Sequence, residues 1–400
     1  MTHRQLFFQH VAQTSDFPLA LEIDRAEGVY LYTADGQSYM DLISGIGVSN
    51  VGHRHPKVLA AIREQLDKYL HLMVYGEYVQ TPQTQLAQAL AETLSAYIGP
   101  HGSLSNVYFT NSGTEAIEGA MKLAKRFTGR TEIISCLNAY HGATQGALSL
   151  SGDENFKRNY RPLLPGIRHI EHGNIAHVEQ IGCRTAAVVI EVITAEAGIR
   201  VPEPAYLQAV RQRCTEVGAL LIIDEIQTGF GRTGSFWAFE AFGPVVPDVL
   251  VCAKGMGGGM PIGAFISSPA VMSVFKNNPI LGHITTFGGH PVSCAASLAT
   301  LHIIRDEQLY AQAEAKGQLF RQLLGNSPAI KEIRGKGLML AAEFESFAVL
   351  KPVIDRAIEL GVITDWFLFC NNSMRIAPPL IITDEQIQEA CTVILEAIDV

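Results

Sequence analysis

Short runs that are apolar at every position alternate along this chain with longer stretches whose apolar residues recur every three to four positions. The runs Asn106 to Phe109, Ile133 to Cys136, Ala186 to Ile193, Leu220 to Asp224, Val249 to Lys254 and Ile262 to Ile266 have the length of strands. A strand that is apolar on both sides is one buried on both faces. The periodic stretches between them, one running through Leu123 and another over Tyr206 to Val217, predict helices. This alternation predicts an α/β fold, a mostly parallel central sheet with flanking helices.

Upstream, Pro56 to Leu70 (Val58, Leu59, Ile62, Leu66) and Thr84 to Ile98 have helical spacing. Gly28 to Tyr32 and Ser38 to Leu42 read as short strands around an Asp35-Gly36 turn. After Pro291 the strict alternation stops. Helices are predicted over Val292 to Ile304, Leu309 to Leu324, Val353 to Leu360 and Thr383 to Ile398, with strands at Leu338 to Phe344 and Met374 to Ala377. Thr383 and Gln386 have the spacing of a capping box. The chain therefore divides into an N-terminal arm (1–50) that joins a smaller α+β domain (291–400), and a large α/β domain (51–290) between them.

Composition narrows the functional classes. With 48% hydrophobic residues the chain can bury a large core. A formal charge of -9 argues against nucleic-acid or membrane-surface binding. No apolar run approaches the ~18 residues of a membrane span, and the N-terminus lacks the pattern of a signal peptide. The seven cysteines are scattered with no C-x-x-C pair. That argues against a zinc site or a disulfide framework and for the cytoplasm.

Candidate chemistry sits at the strand ends. Lys254 follows Val249-Leu250-Val251-Cys252-Ala253 and opens a loop containing Gly255, Gly257, Gly258 and Gly259. Desolvation there lowers an ammonium pKa and frees the amine as a nucleophile. Such an amine can form a Schiff base with a carbonyl compound, notably an aldehyde cofactor. Asp224 ends another buried run, where a carboxylate needs a cationic partner such as a protonated pyridine nitrogen; otherwise it caps the next turn, with Glu225 solvated. The strand Asn106-Val107-Tyr108-Phe109 leads into Ser112-Gly113-Thr114 and a helix, a turn able to bring backbone N–H groups to a phosphate. An ordinary N-cap is the simpler reading of that tripeptide alone. Tyr140, at another strand end, could stack on a flat ring.

Eight segments in order resemble the class III pyridoxal-phosphate aminotransferases of the acetylornithine, ornithine and 4-aminobutyrate group. They are N-S-G-T-E-A at 111–116, Y-H-G at 140–142, E-x-x-x-x-E-A-G at 191–198, D-E-I-Q-T-G-F-G-R-T-G at 224–234, A-K-G-M-G-G-G-M-P-I-G at 253–263, T-T-F-G-G-H-P at 285–291, R-G-K-G-L at 334–338 and R-I-A-P-P-L at 375–380. The resemblance implies fold type I, pyridoxal 5'-phosphate as cofactor, small-molecule amine and 2-oxo acid substrates, and a homodimer. It implies that Lys254 holds the cofactor and shuttles a proton, that Asp224 pairs with the ring nitrogen, and that Gln227 bonds the phenolic oxygen. Tyr140 and Ile226 would cover the two ring faces, and Gly113 and Thr114 would hold the phosphate. Thr286 would reach the phosphate of a neighbouring subunit. Arg375 would pair with a substrate carboxylate, Glu196 would cover Arg375 when an ω-amine is bound, and Glu191 would be a structural acid nearby.

Three places depart from the family's substrate pattern. Ala143 stands where ornithine and acetylornithine enzymes usually carry arginine, Ile46 stands where ornithine-specific enzymes carry tyrosine, and Thr194-Ala195 replaces a common Gln-Gly. The expected reaction is a ping-pong transamination from an ω-amino donor of the acetylornithine, 4-aminobutyrate or diamine type to 2-oxoglutarate or pyruvate. The rivals are a glutamate-1-semialdehyde-type aminomutase, a decarboxylating transaminase, and a catalytically silent binding protein on the same fold.

Overall fold

The structure, a computed structural model, describes residues 1–399. Seven strands build the central sheet: β1 Asn106–Thr110, β2 Glu132–Cys136, β3 Ile167–Ile170, β4 Thr185–Glu191, β5 Leu220–Asp224, β6 Val249–Cys252 and β7 Gly263–Ser267. Their order across the sheet is β1-β7-β6-β5-β4-β2-β3. β5 is parallel to β4 and β6, and β2 is parallel to β3 and β4. β7 runs against both β6 and β1, so β1 regains the common direction. All the parallel strands thus deliver their following loops to one edge.

The two faces follow from alternation along each strand. Val188, Ile190, Leu221, Ile223 and Leu250 pack in one layer with Tyr206, Leu207, Val210 and Cys214 of the helix Pro204–Val217. Ala187, Val189, Leu220, Ile222, Val249 and Val251 pack in the other, with Ala116, Ile117, Ala120 and Leu123 of the helix Gly113–Thr128. That second helix lies very close to the sheet because of Gly119. A Cβ there would stand 2.3 Å from Cε1 of Phe265, whose ring is itself stacked on Tyr108.

Outside the central sheet, Ile23–Glu27, Tyr30–Thr33 and Ser38–Asp41 form an antiparallel ribbon, and Val362–Ile363 adds to its edge in parallel. The C-terminal sheet joins Glu332–Lys336, Met339–Glu343, Cys370–Ile376 and Trp366–Phe367. Thr383 caps the last helix as expected, its hydroxyl accepting from Gln386 N at 3.2 Å while Gln386 Oε1 accepts from Thr383 N at 2.9 Å. Among the described residues no helix is long and apolar enough to cross a membrane.

Several boundaries differ from expectation. The helix expected over Thr84 to Ile98 is Thr81–Thr93, started by Pro82, and Ile98 instead pairs with Ser103. Leu66 is exposed, and Gln65 is buried because its amide donates to Tyr69 O at 2.9 Å. The helix expected from Val353 begins at Phe347 and runs through Pro352, which forfeits one backbone bond. The strand expected at Met374 begins at Cys370, and the polar strand Glu332–Lys336 and the N-terminal helix His3–His10 had no apolar pattern to announce them.

Gly119→Val should destabilise the protein by about 1–3 kcal/mol, because the added atoms overpack the helix against Phe265. Urea unfolding measures it; an unchanged midpoint would mean that the helix does not sit this close.

Candidate active site

A cavity of about 500 Å³ opens at the carboxyl edge of the sheet, and its walls include Gly113, Thr114, Tyr140, Glu191, Asp224, Ile226, Gln227 and Lys254. These residues come from the ends of β1, β2, β4, β5 and β6, as expected for a ligand site in a sheet of this kind. Another cavity, about 450 Å³, lies between the helices Pro56–Lys68, Thr81–Thr93 and Pro291–Asp306, and none of the candidate residues lines it.

β6 stops at Cys252, and Lys254 begins a short 3-10 turn with φ 48°. A non-glycine residue in the left-handed region is costly and persists only where its surroundings enforce it. Lys254 is only partly exposed, and burial pushes its amine down to about 8. The carboxylates of Glu196, Asp224 and Glu191 oppose that shift, and Arg375 adds to it.

Asp224 is buried, with both oxygens engaged. Its Oδ2 lies 2.7 Å from Nδ1 of His141, and Oδ1 accepts from Ile226 N at 2.9 Å. Burial alone would lower the His141 pKa, but the hydrogen bond and charge of Asp224, joined by Glu191, raise it above the ordinary imidazole value. Glu191 is pushed up to about 7 by burial, and it accepts from Ala195 N at 3.0 Å and Tyr140 N at 3.4 Å. Glu225 is not solvated: it is fully buried, taking Phe239 N at 2.8 Å and the Thr228 hydroxyl at 2.5 Å.

The opposite wall is the start of the helix Gly113–Thr128. The Ser112 hydroxyl caps it, accepting from Glu115 N at 3.4 Å. The N–H groups of Gly113 and Thr114 precede any intrahelical acceptor and carry the positive end of the helix dipole. Side-chain bulk is excluded here. A Cβ on Gly113 would lie 2.7 Å from Ile226 Cδ1, and one on Gly142 (φ +132°) would lie 2.3 Å from the Thr114 hydroxyl. The cavity therefore fits pyridoxal phosphate. It offers an uncluttered anion-binding helix end, an amine with a depressed pKa, a buried carboxylate, and an aromatic and an aliphatic side chain for a flat ring.

Beside this cavity Arg375 and Glu196 form a buried bidentate pair, Nη1 to Oε1 and Nη2 to Oε2, both at 3.1 Å. Burial opposes ionisation of Glu196, but the Arg375 charge wins and its pKa falls below the ordinary value. Gln227 links the pair to the cavity, its amide 3.4 Å from Glu196 Oε1. Thr286 is elsewhere: it is exposed, on the loop before the helix Pro291–Asp306, and does not line the cavity.

Three features went unread in the sequence. His141 lay inside a recognised motif, but only its burial against Asp224 shows what it does. Asp365, 2.8 Å from Arg375 Nε, belongs to no motif. Ser44, Gly45, Ile46 and Gly47 form a left-handed turn, with φ of 54°, 60°, 64° and 72°. It is tied by Asp41 Oδ1, which accepts from Ile43 N and Ser44 N at 2.8 Å, and it delivers Val48 to the cavity wall.

Comparison with known proteins identifies the family. The family described as aminotransferase class-III matches residues 11–398. The chain is 38% identical over 377 residues to the acetylornithine aminotransferase of Methanothermobacter thermautotrophicus, covering 93% of this chain and 92% of that protein. It is 37% identical over 391 residues to the acetylornithine aminotransferase of Methanopyrus kandleri, covering 97% and 96%. Among solved structures it resembles the ornithine aminotransferase of Toxoplasma gondii with partial occupancy of PLP at its active site. That match has a TM-score of 0.89 and 31% identity over 98% of this chain and 93% of that one. The chain therefore belongs to the class-III aminotransferases, transaminases that use pyridoxal phosphate.

Proposed function

We propose that this aminotransferase moves an amino group from an ω-amino donor to 2-oxoglutarate, alternating between the two substrates at one site. The donor class rests on the acetylornithine and ornithine aminotransferases that the chain resembles. The observation that carries the reading is the pairing of Arg375 with Glu196 next to Lys254. A guanidinium covered by the protein's own carboxylate suits a site that sometimes holds a substrate carboxylate and sometimes does not. A one-substrate isomerisation needs no such exchange.

When bound, pyridoxal phosphate supplies an electron-poor ring that stabilises negative charge on the substrate carbon bearing nitrogen. The residues then divide the work. Lys254 would hold the cofactor, and its freed Nζ, with a pKa near 8, would take the proton from that carbon and deliver it to a different position, so that the nitrogen can leave the donor carbon. Asp224, fixed by His141 and Ile226 N, would pair with the ring nitrogen. The Gly113 and Thr114 N–H groups would hold the phosphate. Tyr140 and Ile226 would confine the ring and Gln227 would meet its phenolic oxygen, while Glu191 accepts from Tyr140 N and Ala195 N and so anchors the backbone on both sides. Arg375 grips the carboxylate of the 2-oxo acid when Glu196 withdraws.

Four wider readings belong to the same proposal. Thr286, exposed on its loop, completes the phosphate site of a second copy in a homodimer. The pairing of Ser38–Asp41 with Val362–Ile363 supports a division in which residues 1–50 join 291–400 and stand against a large body of 51–290. The protein works in the cytoplasm, in keeping with its scattered free cysteines. Ala143 at the cavity mouth removes a cation and opens the donor side to amines without a second carboxylate.

Lys254→Ala should abolish turnover and remove the visible absorption band of the pyridoxal-phosphate-loaded protein; retained turnover would end the assignment. Arg375→Ala should raise the KM for 2-oxoglutarate by at least about tenfold, as expected for a lost charge-assisted contact, in steady-state assays. In protein stripped of cofactor, acetic-anhydride labelling of Lys254 should rise with a midpoint near pH 8, since its amine loses its proton there. A midpoint near the ~10.4 of an ordinary lysine would contradict the desolvation argument.

A further inference from the structure

Arg375 is held on two edges by two different carboxylates, Glu196 and Asp365. Glu196 takes the edge formed by Nη1 and Nη2. Asp365 takes the remaining edge, accepting from Nε at 2.8 Å. The two residues are also joined through the backbone, where Arg375 N donates to Asp365 O at 2.9 Å. Thr364 adds a further tie, its hydroxyl donating to Arg375 O at 2.6 Å. The Phe367 ring lies under the guanidinium, 4.5 Å from its carbon.

The same segment restrains Glu196. Leu368 N donates to Glu196 Oε2 at 3.1 Å, and Phe369 N donates to Glu196 O at 3.0 Å. The turn from Thr364 to Phe369 thus touches both partners of the pair. Asp365 lies on the Arg375 side of that turn, its side chain 29% exposed, so it can be altered without opening the core.

We propose that Asp365 is the positioning residue of the carboxylate site: it fixes Arg375 by Nε so that the two-Nη edge alone is offered to substrate. A guanidinium presents several donor edges, and a planar fork grips a carboxylate well only when its orientation is set beforehand. Asp365 sets it. It also keeps the buried cation paired while Glu196 is away, so one carboxylate replaces another at the Nη edge without leaving the charge bare. Its predicted effect falls on substrates that carry a carboxylate to that edge and not on amines without one.

This inference rests on the assignment of Arg375 to the substrate carboxylate, and the test separates the two. Asp365→Ala, Asp365→Asn and Arg375→Ala would be compared for 2-oxoglutarate and for a terminal diamine donor. Asp365→Ala should raise the KM for 2-oxoglutarate by about tenfold while leaving the KM for the diamine and kcat near the parent values. Asp365→Asn keeps an acceptor for Nε and should restore the parent KM. If Arg375→Ala raises that KM and Asp365→Ala does not, the positioning role is overturned and the Arg375 assignment stands. If both Asp365 variants lose kcat with every substrate, the residue is merely structural and the proposal is again overturned. If Arg375→Ala leaves the KM unchanged, the Arg375 assignment fails, and the positioning role fails with it.

Discussion

A lysine amine cannot be both dry and fully charged at low cost, and the site is arranged around that constraint. Lys254 is carried past the end of β6 into a strained backbone conformation, and burial brings its pKa to about 8. The acids near it could reverse this, yet each already has a partner. Asp224 is committed to His141 and the Ile226 N–H, and Glu196 to Arg375. The Arg375 charge adds to the downward shift and so offsets part of the pull of Glu196 on the proton.

The same logic explains motifs that carry no chemistry themselves. Arg232 is fully buried, and burial lowers its pKa to about 9. It donates to Leu338 O at 3.1 Å, to Asn50 Oδ1 at 2.6 Å and to Pro378 O. Arg334 donates to Gly198 O at 2.5 Å and to Ser373 Oγ at 2.8 Å, and it pairs with Glu343. These two guanidiniums fasten the loops after β4 and β5 to the C-terminal sheet strands that carry Arg375. Their work is positional: the cavity and the carboxylate site are assembled from distant parts of the chain and must be locked together.

The strands of the central sheet were legible in the sequence because burial on both faces leaves an unbroken apolar run, as in Leu220–Asp224 and Val249–Cys252. Lys254 and Asp224 were legible because a charge at the end of such a run is physically conspicuous. The burial of Glu225 was not legible, since nothing local reveals that Phe239 N and Thr228 come back to satisfy it. Asp365 was invisible for a similar reason. Its meaning lies in a contact with Arg375 made across an antiparallel pairing, in a segment with no periodicity. The left-handed turn at Ser44–Gly47 was hidden by Ile46, a β-branched residue that ordinarily avoids positive φ.

The most direct test of the central claim is to load the protein with pyridoxal phosphate, reduce it with borohydride, digest it and map the labelled peptide by mass spectrometry. The account predicts a single pyridoxyl label, on Lys254. A label on another lysine, or none after full loading, would contradict it.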